Sequence, residues 1–245
     1  MPTYYAVDIR SHQFNMCDNA CTNAGNPRDL VLWFKNSGGN WGHPWSISLN
    51  ESCASNVAWL ESQTGMQAIF VTTKIVPNCP STDDRFGNAV LIGGPLIAGT
   101  NRGWQFPTQE DTNCTVSTSQ ECRKMVCATF GSYAGNVTSC SAHLQDSNTS
   151  IAQSQANEYI YIANATYPGG RWLAGDLNLA PSDVPGVYAS QYYSSPLLWT
   201  YKSTNLTKQI DYVWHDKAHS AFNTYGNRHC DISYSDHCYA FAKFG

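Results

Sequence analysis

The chain has 245 residues, of which 42% are apolar and only 13% are charged, and its formal net charge is −4. This length and apolar content allow a sizeable core, in one large domain or two small ones. The negative charge excludes the broad basic surface of a dedicated nucleic-acid-binding protein, although it allows an enzyme that meets phosphate through a metal and a few local cations.

The ten cysteines are even in number and mostly widely spaced, which predicts disulfides and an oxidising compartment. The chain opens directly on a strand-like run, and no apolar stretch has the length of a membrane span, so we expect a mature, secreted protein. Spacing alone leaves the connectivity open. We predict that each cysteine pairs with its neighbour: Cys17–Cys21, Cys53–Cys79, Cys114–Cys122, Cys127–Cys140 and Cys230–Cys238.

In chain order, short runs of β-forming residues alternate with two helical patterns. The predicted helices are Asn56–Thr64 and Ser147–Ala165, and Pro- and Gly-rich loops are predicted at Asn78–Gly87 and Leu179–Gly186. The predicted strands are Tyr4–Arg10, Ser46–Leu49, Gln67–Thr73, Ala89–Ile92, Val126–Ala128, Val137–Ala142, Arg171–Gly175, Ile210–Trp214 and Tyr239–Lys243. Strands mixed with crossover helices predict a single α/β domain over residues 1–245.

Polar side chains cluster where predicted strands end, a place where sheet proteins carry catalytic groups. Asp176 and Asn178 follow an apolar strand and would point to the same side of the sheet. A turn or cap explains such a pair equally well. Asp211 lies within a predicted strand, where a carboxylate is costly unless it is paired, for example with a histidine. The remaining candidates are Asn15, Glu51, His143, Asp236 and His237.

Six segments in this order resemble the endonuclease/exonuclease/phosphatase superfamily, which includes deoxyribonuclease I and the sphingomyelinases. The matching segments are Phe14-Asn15-Met16, Leu49-Asn50-Glu51, Ala142-His143-Leu144, Gly175-Asp176-Leu177-Asn178, Gln209-Ile210-Asp211-Tyr212 and Ser235-Asp236-His237. They run from residue 14 to residue 237, nearly the whole chain. The resemblance implies a four-layer α/β sandwich of two mixed β-sheets flanked by helices, with the site at one edge.

The resemblance also implies metal-dependent phosphodiester hydrolysis. Glu51 is then the primary ligand of Mg²⁺ or Mn²⁺, with Asn15 and Asp236 beside it, and Ca²⁺ is a further candidate ion. His237 is the expected general base, held by Asp211.

Six more residues complete the expected site. Asp176 orients the attacking water or assists the leaving group, while Asn178 and His143 donate hydrogen bonds to the phosphoryl oxygens. Arg123 matches a phosphate-contacting arginine, and Arg85 adds positive charge. Asn88 stands where the deoxyribonuclease branch has a carboxylate partner for His143, so Asn88 is expected to contact substrate or His143 through its amide.

The leading hypothesis is a secreted nuclease that cuts DNA or RNA with little sequence preference, as a monomer without a stable protein partner. One alternative is a sphingomyelinase-like phospholipid phosphodiesterase, which would need exposed aromatic residues for membrane contact, with Tyr188–Tyr201 as the candidate segment. The other is a non-catalytic binding or toxin-like protein on the same fold, which the full set of catalytic residue types disfavours.

Overall fold

A six-stranded mixed sheet forms one half of the fold in the part of the chain that the structure describes. The structure, a computed structural model, describes residues 30–36, 45–77, 83–132, 135–194, 201–203, 205–219, 224–229 and 239–244. The strands of this first sheet are β1 (Leu30–Asn36), β2 (Trp45–Cys53), β3 (Gln67–Ile75), β4 (Arg85–Ile92), β13 (Thr224–His229) and β14 (Tyr239–Phe244). Their spatial order is β13-β14-β1-β2-β4-β3, and only the β1–β14 pair is parallel.

The second sheet has the spatial order β5-β6-β7-β8-β12-β9. Its strands are β5 (Arg102–Gln105), β6 (Lys124–Ser132), β7 (Gly135–His143), β8 (Gly170–Asp176), β9 (Tyr192–Ser194) and β12 (Asp211–Asp216). Strands β7 and β8 run parallel, and all other neighbours are antiparallel. A separate hairpin joins β10 (Tyr201–Ser203) to β11 (Asn205–Lys208).

Three α-helices accompany the sheets in the described ranges: α1 (Ala54–Thr64), α2 (Thr149–Thr166) and α3 (Gly186–Gln191). Helix α2 is the crossover between β7 and β8 that a parallel pair requires. The Asn148 side chain caps it by accepting hydrogen bonds from the backbone nitrogens of Ser150 and Ile151. None of the described helices is long and apolar enough to cross a membrane.

Three apolar layers hold these elements together. Between the sheets, residues of β4, such as Val90, pack on Phe130 of β6 and Trp172 of β8. Helix α1 covers the outer face of the first sheet, and α2 covers the outer face of the second, where Tyr159 is fully buried. The layer order of helix, sheet, sheet and helix confirms the four-layer sandwich.

Two hydroxyl contacts fix how the sheets face each other. The Ser46 and Ser139 hydroxyls lie 2.7 Å apart, and Ser141 Oγ donates to the carbonyl oxygen of Leu49 at 3.2 Å. The second contact lies nearer the C-terminal end of both strands than the first, so β2 and β7 point in the same general direction. The ends of the two strands, which carry Glu51 and His143, therefore lie at the same edge of the sandwich.

Most predicted elements are confirmed, with small shifts in their bounds. Seven of the nine predicted strands fall within observed strands, Ile210–Trp214 begins one residue before β12, and both helices are present. Tyr4–Arg10 lies outside the described residues. The predicted loop Asn78–Gly87 is wrong at its end, because β4 begins at Arg85. Gly87 belongs to this strand because β4 approaches β3 closely: a Cβ at Gly87 would lie 1.9 Å from the Val71 carbonyl oxygen.

Two of the predicted disulfides are confirmed, Cys114–Cys122 and Cys127–Cys140. The second joins the neighbouring strands β6 and β7, and the first closes the loop that leads into β6. The other three predicted pairs each include a cysteine outside the described residues.

Gly175 provides a stability test of the β7–β8 contact. Its φ is 151°, and a Cβ there would lie 1.9 Å from the carbonyl oxygen of Ala142 in β7. We expect Gly175→Ala to lower the free energy of unfolding by about 2–4 kcal/mol, because backbone must move to accept the methyl group. Urea unfolding followed by tryptophan fluorescence measures this. Gly186→Ala is the control, since that position is open. Equal stability of the two variants would contradict the prediction.

Candidate active site

Three buried polar residues meet at the edge where β7 and β8 end and β12 begins. His143 is the last residue of β7, Asp176 is the last of β8, and Asp211 is the first of β12. Asp176 is in register with His143 on one side and with Asp211 on the other. His143 Nε2 lies 3.9 Å from Asp176 Oδ2. The fold thus brings together residues that are 33 and 35 positions apart in sequence (176 − 143 and 211 − 176).

Asn178 joins this group through a turn. Its backbone has φ 52°, in the left-handed region that asparagine tolerates better than most residues. The Asn178 backbone nitrogen donates to Asp176 Oδ1 at 2.8 Å. Its side-chain Nδ2 donates to the Leu144 carbonyl oxygen and lies 3.1 Å from His143 Nε2. The Asp-x-Asn segment is therefore both a turn and part of the site.

Arg123, immediately before β6, lies against His143. Arg123 Nη1 is 2.7 Å from His143 Nδ1 and 3.1 Å from His143 Nε2. Its backbone is fixed by Gln109, whose side chain bonds both the Arg123 nitrogen and its carbonyl oxygen at 2.8 Å. The Cys114–Cys122 disulfide ends at the preceding residue. The predicted phosphate contact thus sits in a braced segment beside the histidine.

Glu121 is a site residue that the sequence analysis missed. Its Oε1 lies 3.5 Å from His143 Nδ1, 3.3 Å from Arg123 Nη1 and 3.4 Å from Thr73 Oγ1. A carboxylate therefore does accompany His143, from the loop before β6. Its position two residues before Arg123, and next to a cysteine, was the available signal.

Electrostatics keep Glu121 ionised. Burial alone raises the pKa of its carboxyl group, but the hydrogen bond from His143 and the charges of Arg123 and His143 lower that pKa from 4.5 to about 2. The ionised form is therefore the one that the folded site stabilises.

The lowered pKa of Glu121 predicts how the stability of the fold depends on this residue and on pH. We expect Glu121→Gln to lower the free energy of unfolding at pH 7 by about 1–3 kcal/mol, because Arg123 and His143 lose a largely buried anion. The folded pKa is the depressed one, so the contribution is present above about pH 4.5 and is lost as the pH falls toward 2. Urea unfolding at several pH values measures it. Asp146 also forms an ion pair with Arg123 but is half-exposed, so Asp146→Asn should lower the free energy of unfolding by less than about 1 kcal/mol. A Glu121→Gln deficit that is constant down to pH 2 would contradict the linkage.

The other predicted residues take separate positions. The side-chain amide of buried Asn88 donates to the Lys124 carbonyl oxygen at 3.0 Å. Arg85 is exposed and forms a two-point ion pair with Asp83. Because β2 and β4 are antiparallel and Cys53 pairs with Phe86, Arg85 begins its strand at the edge where β2 ends, two residues after Glu51. Asn15, Asp236 and His237 lie outside the described residues.

The described part of the site supplies donors that suit a hard cation, although not a complete metal site. Asp176 and Asp211 are buried carboxylates in cross-strand register, an arrangement of like charges that a nearby cation would stabilise. Within the described ranges, no three His, Cys, Asp or Glu side chains form a metal-binding group. Glu51 reaches the same edge through its backbone in β2, and the remaining predicted ligands, Asn15 and Asp236, are not described.

Solved structures with similar architecture define the fold. An endonuclease/exonuclease/phosphatase protein from Beutenbergia cavernae superposes with a TM-score of 0.60 at 18% identity, over 89% of this chain and 72% of that one. The chain has the endonuclease/exonuclease/phosphatase fold. A humanized Danio rerio TDP2 has this fold with a TM-score of 0.60 and 13% identity, over 89% of this chain and 99% of that one.

The human nocturnin catalytic domain, solved with a bound sulfate anion, also shares the endonuclease/exonuclease/phosphatase fold. Its TM-score is 0.55 at 17% identity, over 80% of this chain and 78% of that one. No protein-family model and no curated protein matches the sequence. The likeness therefore lies in the three-dimensional arrangement.

Proposed function

We propose that this chain is a divalent-metal-dependent phosphodiester hydrolase that acts on DNA or RNA outside the cell. The observation that carries the proposal is the meeting of His143, Asp176, Asn178 and Asp211 at one edge of the sandwich, with Arg123 against His143. Proteins of the same fold include a mannosyl-6-phosphatase and a TDP2 solved with a single-strand DNA product. The neighbours thus favour phosphoester chemistry, and the arginine favours an anionic substrate.

The described residues suit that chemistry. Asp176 is a buried carboxylate whose Oδ1 accepts the Asn178 backbone N–H, and a carboxylate held in this way can orient water or take a proton. His143 and the Asn178 amide lie side by side, and they can donate to phosphoryl oxygens once a bound phosphoryl group replaces the contact between Asn178 Nδ2 and His143 Nε2. Arg123 supplies the positive charge. A divalent ion held by Glu51, with Asn15 and Asp236, would neutralise charge on the phosphoryl group.

Two further features support the proposal. Formed disulfides at Cys114–Cys122 and Cys127–Cys140 are typical of proteins that work in an oxidising compartment. The phospholipid alternative has less support, because Tyr188 and Tyr192 of its candidate segment are buried in the core and cannot contact a membrane, although Tyr193 is partly exposed.

The test compares substrates and metal. Purified protein is incubated with plasmid DNA, total RNA, sphingomyelin or a sugar monophosphate, each with Mg²⁺ and with EDTA. We expect Mg²⁺-dependent cleavage of DNA or RNA that EDTA abolishes. Product from sphingomyelin or from the monophosphate alone would move the assignment to that substrate class, and hydrolysis that persists in EDTA would overturn metal dependence.

A further inference from the structure

The guanidinium group of Arg123 has a partner at each of its three nitrogens. Nη1 lies against His143 and donates to Glu121 Oε1, Nη2 donates to Asp146 Oδ1 at 3.2 Å, and Nε donates to Gln145 Oε1 at 3.3 Å. The side chain is only 7% exposed. A phosphoryl oxygen that arrives from solvent therefore competes with these partners for the guanidinium, and first with the most exposed of them.

The two carboxylates on Arg123 differ in how firmly they are held. The Glu121 side chain is 18% exposed and also contacts His143 and Thr73. The Asp146 side chain is 52% exposed, and within the described residues its one ion pair is with Arg123. An ion pair with a half-exposed carboxylate is screened by water, so Asp146 is the partner that an anion can displace most easily.

We propose that Asp146 sets the affinity of the site for the phosphoryl group, because its carboxylate occupies the Arg123 Nη2 position that a phosphoryl oxygen takes when it binds. The inference rests on the proposed function, in which Arg123 contacts phosphate. Each binding event exchanges one anion for another on the same nitrogen. The exchange weakens binding of free phosphate and so favours substrates that make further contacts elsewhere in the site.

The space around Arg123 provides a matched control. A cavity of about 270 Å³ opens beside this arginine and is lined by Asp146 and Glu110, among others. Glu110 accepts from the Gln145 amide at 2.8 Å and from the Ser147 hydroxyl, and neither bond involves Arg123. Glu110→Gln removes the same charge from the same cavity without releasing the guanidinium.

The experiment titrates inorganic phosphate into the full chain by calorimetry at low ionic strength. We expect Asp146→Asn to lower the Kd for phosphate by about 2- to 10-fold, the effect of removing one half-exposed competing charge. Glu110→Gln should shift the Kd less than about 2-fold at its greater separation from the arginine. In an Arg123→Lys background, the effect of Asp146→Asn should disappear, because the planar two-nitrogen donor is gone.

Three outcomes overturn the proposal: unchanged or weaker phosphate binding in Asp146→Asn, an equal shift in Glu110→Gln, or an undiminished effect in the Arg123→Lys background. The measurement needs no turnover. Tighter phosphate binding by Asp146→Asn in a protein that hydrolyses no phosphoester would support this inference and reject the proposed function.

Discussion

Replacing Asp176 with asparagine is expected to lower kcat/KM for phosphodiester hydrolysis by about 10²- to 10⁴-fold, the range for loss of a group that moves or orients a proton. Asparagine keeps the shape of the side chain, and its amide oxygen can still accept the Asn178 backbone N–H. What it lacks is the negative charge next to His143 and Asp211. Initial rates on the substrate identified with Mg²⁺ measure the effect.

The second sheet contains a control for this change. Asp216 is a buried carboxylate at the other end of β12, where its Oδ2 accepts from Arg171 Nε at 2.9 Å. Asp216→Asn should lower the free energy of unfolding while leaving kcat/KM near the wild-type value, because the loss lies at the far end of the strand. Asp176→Asn turnover within tenfold of wild type would show that Asp176 is structural.

His143→Gln is the second large effect. We expect kcat to fall by about 10²- to 10³-fold with a smaller change in KM, since a donor to the phosphoryl oxygens contributes mainly as negative charge builds in the transition state. Glutamine fills much of the ring's volume and can donate one hydrogen bond. It cannot take the place of a ring that Arg123, Glu121 and Asn178 all contact. Rates over a range of substrate concentrations separate kcat from KM.

A second buried histidine of the same sheet serves for comparison. His215 in β12 bonds the Asp216 carbonyl oxygen through Nδ1 at 2.9 Å and packs beside Trp172. His215→Gln should cost stability without a comparable loss of kcat. Should both histidine variants lose turnover in proportion to their loss of stability, the effect at His143 would be one of folding.

The sequence predicts the centre of the fold better than its periphery. Central strands such as β6, β7 and β8 carry runs of apolar residues between turns, and these runs predicted them. Strand β5 has four residues, three of them exposed, so it has no apolar pattern to detect. Strand β1 is different: its run Leu30–Phe34 is apolar and β-forming, so this strand could be predicted from the sequence although it is not among the nine predicted strands.

The candidate site likewise contains residues that the sequence predicts and residues that it does not. His143, Asp176 and Asp211 could be predicted because each lies at a strand terminus, and neighbouring strands bring their termini together. Glu121 could not be predicted in the same way, since it lies in the loop before β6 and no strand pattern in the sequence places that loop beside His143. The contact between Asp146 and Arg123 likewise depends on side-chain geometry that spacing does not encode.

The serine hydroxyls between the sheets have a mechanical consequence. Ser46 of β2 bonds to Ser139 of β7, and Ser141 of β7 bonds to the Leu49 carbonyl oxygen of β2. These two contacts align β2 with β7. The position of Glu51 relative to His143 therefore depends on these contacts. A shift of one sheet relative to the other would separate the two residues even if both sheets stayed folded. The small serine side chains between the sheets preserve this alignment. A larger side chain at one of these buried positions would lower turnover although it lies far from the substrate.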